Sequence, residues 1–146
     1  MGSGAFGQSR DTGWAMSQEA IDASRAAFEQ FSRGDFSAYA DLPDEFELVL
    51  APEMPDAGTY RGAAARDWAG AWVNSFDRLT QEPIEFIDAG DDQVLVEFIQ
   101  RGWTAGSDVP VELRTWSVTT VKDGNFLRTL LFQNRNDALE AAGLSE

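Results

Sequence analysis

The residues best placed to do chemistry lie on two alternating stretches in the second half of the chain. Glu97 and Arg101 are four apart, and Glu112, Arg114 and Trp116 are two apart, so in extended backbone each set projects from one face of a sheet. Carboxylates beside a guanidinium can move protons and hold charge that develops on an oxygen. They would have to do so without the usual help, because the 146 residues include no His and no Cys. That removes the commonest general base, thiolate nucleophiles, disulfides and the usual zinc ligands. No phosphate loop, dinucleotide fingerprint or nucleophile elbow is present. Acid–base work therefore falls to Asp, Glu, Tyr, Lys or bound water, and neither a metal nor a cofactor is expected.

The same residues have a second reading. Glu97, Arg101, Glu112 and Arg114 can form cross-strand ion pairs on a solvent or dimer face, each worth about 0.2–1 kcal/mol. Trp116 shares the Arg114 face, and a large aromatic sits more naturally over a cavity or core than in water. Glu53 and Asp56 fall in a loop, and Asp91 and Asp92 in a turn, without the ligand pattern of a hard-cation site.

The elements that must position these groups are legible from punctuation and period. Ser17 can cap a helix whose apolar positions Ala20, Ile21, Ala27, Phe28 and Phe31 form one stripe ending at Gly34. Asp35 can cap a short second helix through Phe36 and Tyr39 that stops at Leu42-Pro43. Phe46, Leu48 and Leu50 alternate as a strand, and Ala51 to Arg61, with Pro52, Pro55 and Gly58, reads as an irregular surface loop. Gly62 to Leu79 returns to helical period, with Trp68, Trp72 and Phe76 on one face.

Strands follow over Pro83 to Ala89 and Val94 to Trp103, joined at Gly90-Asp91-Asp92, and then over Pro110 to Val121 and Phe126 to Gln133, joined at Asp123-Gly124. Asn136 or Asp137 can cap a final helix, which Gly143 ends and from which Leu144 reaches back to Leu139. Met1 to Ala15 holds four glycines and no periodicity, which predicts a disordered or expression-derived segment ahead of one domain over 16–146.

Composition bounds the partners. With 43% hydrophobic residues the chain can build its own core, burying roughly 68–70% of its unfolded surface. Ten Phe, five Trp and two Tyr either fill that core or line an apolar cavity. Lys plus Arg number 11 against 25 Asp plus Glu, a net charge of −14, and a field of that sign repels nucleic acid and anionic membranes. No run approaches the ~20 apolar residues of a membrane span, and the start shows no secretory pattern, so cytoplasmic residence is expected.

The order of elements, together with Phe28 to Tyr39 (FEQFSRGDFSAY), Tyr60-Arg61-Gly62 and Trp116 to Leu144 (WSVTTVKDGNFLRTLLFQNRNDALEAAGL), resembles the nuclear-transport-factor-2-like superfamily, and within it the SnoaL-like proteins. The resemblance spans Gln18 to Leu144 and implies an α+β fold: a cone-shaped, curved antiparallel sheet wrapped around N-terminal helices, with a pocket at the open end, often homodimeric through sheet faces. It implies a small hydrophobic molecule as partner, and either a cofactor-independent isomerase, cyclase or hydrolase of a hydrophobic oxygenated metabolite or a non-catalytic ligand-binding or homodimerising domain.

Set against the chemistries of that superfamily, Glu47-Leu48-Val49-Leu50 lacks the base of ketosteroid isomerases, and Ala27 with Arg114 or Thr115 replaces their oxyanion donors. Glu97, Arg114 and Glu112, if they face the cone, are similar to the acid–base–acid set of limonene epoxide hydrolases, with Glu in place of Asp and a different order along the strands. That likeness implies an Arg114 that orients both carboxylates, one activating water and the other donating a proton. Tyr60, Trp68, Trp72, Arg101 and Trp116 are then expected as pocket residues.

Overall fold

A computed structural model describes residues 18–144; the segment over 1–15 and the capping role of Ser17 lie outside the described residues. Helix α1 runs to residue 31, with Ala20, Phe28 and Phe31 buried as its stripe and Gly34 following at φ 82°. Asp35 accepts hydrogen bonds from the Ser37 amide and hydroxyl at 3.0 and 2.7 Å. That local turn starts the expected short second helix, which is a 3-10 segment, Ser37–Asp41.

Strand β1 is Glu47–Leu50, and β2, Gly58–Arg61, lies antiparallel to it. The expected irregular loop is therefore shorter than Ala51 to Arg61, because its last four residues pair with β1 and Arg61 reaches Glu47 at 2.7 Å. Helix α2 is Ala63–Asn74 and β3 is Arg78–Asp88. The helix stops short of Leu79 because Leu79, Thr80 and Gln81 are buried as strand, paired with Gly102, Arg101 and Gln100.

Strands β4 (Gln93–Trp103), β5 (Val111–Lys122) and β6 (Asn125–Phe132) form an antiparallel meander, and α3 is Arg135–Ala141. Asp123 and Gly124 both take positive φ, 53° and 78°, the backbone of a tight hairpin that matches strand twist. Asn134, rather than Asn136 or Asp137, caps α3 by accepting from the Asp137 amide at 3.1 Å. Gly143 at φ 75° and the Leu144 amide bonding Leu139 at 2.8 Å end it as expected.

The six strands are ordered β2-β1-β6-β5-β4-β3. The sheet is mixed rather than wholly antiparallel, because β1 runs parallel to β6. Between those two neighbours lie α2 and the β3–β5 meander, the kind of long connection a parallel pair needs. The sheet does not close on itself, so α1 and α2 complete the cone on its concave side.

Strand parity divides the side chains. Val94, Val96, Phe98 and Val121 face inward and pack on Phe28 and Phe31 of α1. Leu95, Trp116 and Val118 face outward and are covered by Ala138 and Leu139 of α3 and by Ala142 just after it. Each face of the central sheet therefore has its own apolar cover, as the α+β layer rule requires.

Candidate functional site: a neutral cavity inside the cone

Between α1, α2 and the inner sheet face lies a cavity of about 310 Å3. α1 lines it with Ser24, Ala27, Phe28 and Phe31, α2 with Trp68 and Trp72, and the sheet with Gln81, Phe98, Gln100, Ser117, Thr119 and Thr129. Trp68 and Trp72 stack with ring centroids 6.0 Å apart, one helical turn apart on α2, and the edge of Phe76 abuts Trp72 at 5.2 Å. This triplet is what the four-residue spacing predicts, and its two tryptophans make one wall.

The polar groups of the cavity are joined. The Trp72 indole N–H donates to Gln100 Oε1 at 2.9 Å, Gln81 Nε2 donates to the same oxygen at 2.9 Å, Gln100 Nε2 donates to Thr115 Oγ1 at 3.2 Å, and the Tyr39 hydroxyl donates to Gln81 Oε1 at 3.2 Å. Farther along, the Thr119 and Thr129 hydroxyls share a bond of 3.0 Å. Gln81 and Gln100 pair directly across β3 and β4, so backbone register brings the two amides together, and burial makes their mutual satisfaction necessary. Burial pushes the Tyr39 hydroxyl above the ordinary phenol range, partly offset by its bond to Gln81, so it stays protonated at neutral pH.

Among the described residues that line the cavity, Asp41 is the one ionisable carboxylate, and it is exposed. What the cavity offers is therefore apolar surface, aromatic walls and uncharged donors and acceptors. That suits orientation of a neutral molecule and lacks a buried base at the ligand.

The expected catalytic set sits elsewhere. Glu97 is opposite Trp116, and Arg101 is opposite Glu112, all on the outward face. Glu97 is buried and pairs with Arg114, with Arg135 of α3 at 3.3 Å on its other oxygen. Glu112 bonds Arg101 at 2.7 Å, and Arg101 also holds Glu82 at 2.6 Å. The structure thus brings Glu97 to Arg114 but keeps Glu112 in a separate pair, and it places all three, with Arg101 and Trp116, across the sheet from the cavity. Their even spacing does put them on one face; that face is the outer one because the inner register belongs to Val94, Val96, Phe98 and Gln100.

Of the expected pocket residues, Trp68 and Trp72 line the cavity. Tyr60 lies outside the lining, 6.3 Å from the Trp68 ring, with its hydroxyl donating to the Asp56 carbonyl at 2.7 Å. Gln81, Gln100, Ser117 and Tyr39 escape a search for charged chemistry. Gln100 carries the clearest signal, a polar residue in the apolar alternation Val94, Val96, Phe98. Among the described residues no group of three Asp or Glu side chains could hold a metal, and no helix is long and apolar enough to cross a membrane.

An open mixed sheet wrapped on two helices around a cavity defines the nuclear-transport-factor-2-like α+β cone, and the chain has that fold. TerC co-crystallised with polyporic acid is similar at 19% identity, over 86% of this chain and 98% of that one, with a TM-score of 0.63. SalBIII, an epoxide hydrolase/cyclase-like enzyme of salinomycin pyran-ring formation, is similar at 19% identity, over 82% and 94%, with a TM-score of 0.63. A putative SnoaL-like polyketide cyclase from Jannaschia Sp. CCS1 matches at 14% identity, over 88% and 94%, with a TM-score of 0.59. No protein-family model and no curated protein matches the sequence. Likeness at these identities establishes the fold, and chemistry has to be argued from the site.

Proposed function

We propose that the protein binds one uncharged, largely apolar small molecule inside the cone, between the Trp68–Trp72 wall and the Gln81–Gln100 pair. The observation that carries this reading is the cavity itself: about 310 Å3, enclosed by aromatic and aliphatic side chains, with neutral amides and hydroxyls as its buried polar groups. That volume is at the lower end of small-molecule sites, which run from roughly 300 to 1,000 Å3. An anion would meet a protein of net charge −14 and no cation in the wall.

Of the two functions the resemblance implies, ligand binding fits these walls better than carboxylate–Arg catalysis. Glu97, Glu112 and Arg114 would have to act through the thickness of the sheet, and a general base must come within hydrogen-bond reach of its proton. Turnover in this cavity would have to rest on orientation and on hydrogen bonds from Gln81, Gln100 and Tyr39. Solved relatives of the same fold crystallised with polyporic acid and with trimethylamine support a small molecule as the partner.

The test is a titration with N-phenyl-1-naphthylamine, an uncharged fluorescent probe. Saturable one-to-one binding with quenching of tryptophan emission is expected, and Ala27→Phe, which fills the cavity from α1, should weaken it at least tenfold. Probe binding that is non-saturable, or equally tight in a folded Ala27→Phe variant, refutes the proposal. We further propose homodimerisation through sheet faces, supported by the exposed apolar side chains Ile84 on β3 and Val111 on β5; a monomer by light scattering at 100 μM would refute it.

A further inference from the structure

The hydrogen-bond polarity of the cavity is set by one residue. An indole N–H donates and cannot accept, so Trp72 obliges Gln100 to turn Oε1 toward it. Gln81 must then present Nε2 to that same oxygen, which leaves Gln81 Oε1 to receive the Tyr39 hydroxyl. The orientation of both amides, which carbon, nitrogen and oxygen positions alone leave ambiguous, follows from Trp72 through a single chain of bonds.

The remaining capacity can be counted. Gln100 Oε1 receives two hydrogen bonds, one for each lone pair, and Gln100 Nε2 donates one of its two hydrogens to Thr115. What Gln100 has left is one N–H. Gln81 Nε2 likewise donates one hydrogen to Gln100, and the other has no acceptor among the described residues, while Gln81 Oε1 receives the Tyr39 hydroxyl and keeps one lone pair, so the two amides together have two N–H groups to spare against one acceptor site. Both side chains are buried, at 5% and 8% exposure, and both line the cavity. A buried donor without a partner is costly, so the cavity favours an occupant that accepts from it.

We infer that the pocket selects molecules carrying an uncharged hydrogen-bond acceptor, a ketone, quinone or amide carbonyl, held by the spare N–H groups of Gln100 and Gln81 while the rest of the molecule packs against Trp68 and Trp72. This deepens the proposed function and rests on it. The ligand class follows from the direction of the bonds: a hydrocarbon of the same shape leaves both donors unpaired, and a hydroxyl gains nothing as donor from Gln100, whose acceptor is full.

The experiment compares 1-tetralone with tetralin, which differ by one carbonyl, by displacement of N-phenyl-1-naphthylamine from the wild type and from Gln100→Met. The ratio of tetralone to tetralin affinity should fall about five- to tenfold in the variant, the ratio cancelling the difference in ligand hydration. Because Gln100→Met also strips partners from Trp72 and Gln81, side-chain amide proton spectra of the wild type provide a second reading. Tetralone should shift the spare Gln100 and Gln81 protons downfield, and tetralin should not. If both ligands displace the probe while those protons stay unmoved, the acceptor preference is refuted and the pocket stands. If neither displaces it, the pocket reading fails and takes the preference with it.

Discussion

Arg114→Met separates the outer ion cluster from the cavity. The Glu97 side chain is 8% exposed, and its partners Arg114 and Arg135 are 53% and 38% exposed. Removing one partner of a fully buried pair costs about 3–5 kcal/mol, because the other charge is left without compensation. Here Arg135 remains at 3.3 Å from Glu97, and water already reaches half of Arg114, so the loss should be nearer 1–2 kcal/mol. For a domain of this size that lowers Tm by roughly 3–10 °C. Glu97→Leu should cost less than Arg114→Met, or nothing: it removes the desolvated charge, lets the half-exposed Arg114 rehydrate while Arg135 keeps Glu85 at 3.7 Å, and puts apolar volume beside Leu95 and Trp116. Urea unfolding followed by circular dichroism gives both losses, and probe titration of the same preparations should give affinities within about twofold of wild type. A tenfold fall in affinity with stability intact would show that the cluster acts on the cavity. A larger loss for Glu97→Leu than for Arg114→Met would refute the claim that the buried carboxylate is the costly member.

Two other perturbations test the frame and the network. Gly62 sits at φ 54°, and a Cβ there would stand 2.5 Å from the Asp44 carbonyl oxygen, so Gly62→Ala should cost at least about 2 kcal/mol through backbone strain and overlap; a Tm within 1 °C of wild type would contradict this. Tyr39 is held protonated by burial, so above about pH 10 the unfolded chain releases a proton that the native state keeps, and stability must fall as pH rises. Tyr39→Phe should be less stable at pH 7 by about 1 kcal/mol for the lost bond to Gln81, yet its urea midpoint should fall less steeply between pH 9 and 11. Parallel slopes for the two proteins would refute the assignment.

Most of the fold was legible because its signals are local. The α1 stripe, the Trp68-Trp72-Phe76 face, the Asp123-Gly124 turn and the Gly143 end each depend on a few adjacent residues, and all lie where spacing and punctuation put them. What failed depended on partners distant in sequence. β2 is a strand because Glu47 to Leu50 lies beside it, and α2 gives way to β3 because Leu79 to Gln81 pairs with Gln100 to Gly102. Nor does local pattern reveal that β1 runs parallel to β6.

The site turned on parity. Alternation shows that Glu97 and Arg101 share a face, and that Glu112, Arg114 and Trp116 share one; it does not say which face is concave. The deciding residues lie one position away: Val96, Phe98 and Gln100 on β4, and Thr115, Ser117 and Thr119 on β5. A single-residue shift in that assignment exchanges a charged, water-activating interior for a neutral one. Trp116 favoured the wrong face because burial of a large aromatic needs only a cover, and α3 supplies one on the outside. Gln100 pointed the other way: an uncharged amide within an inward apolar register must find hydrogen-bond partners there, and Trp72, Gln81 and Thr115 are those partners. Buried amides that satisfy one another and still have an N–H to spare mark the interior of this cone more reliably than its charged residues do.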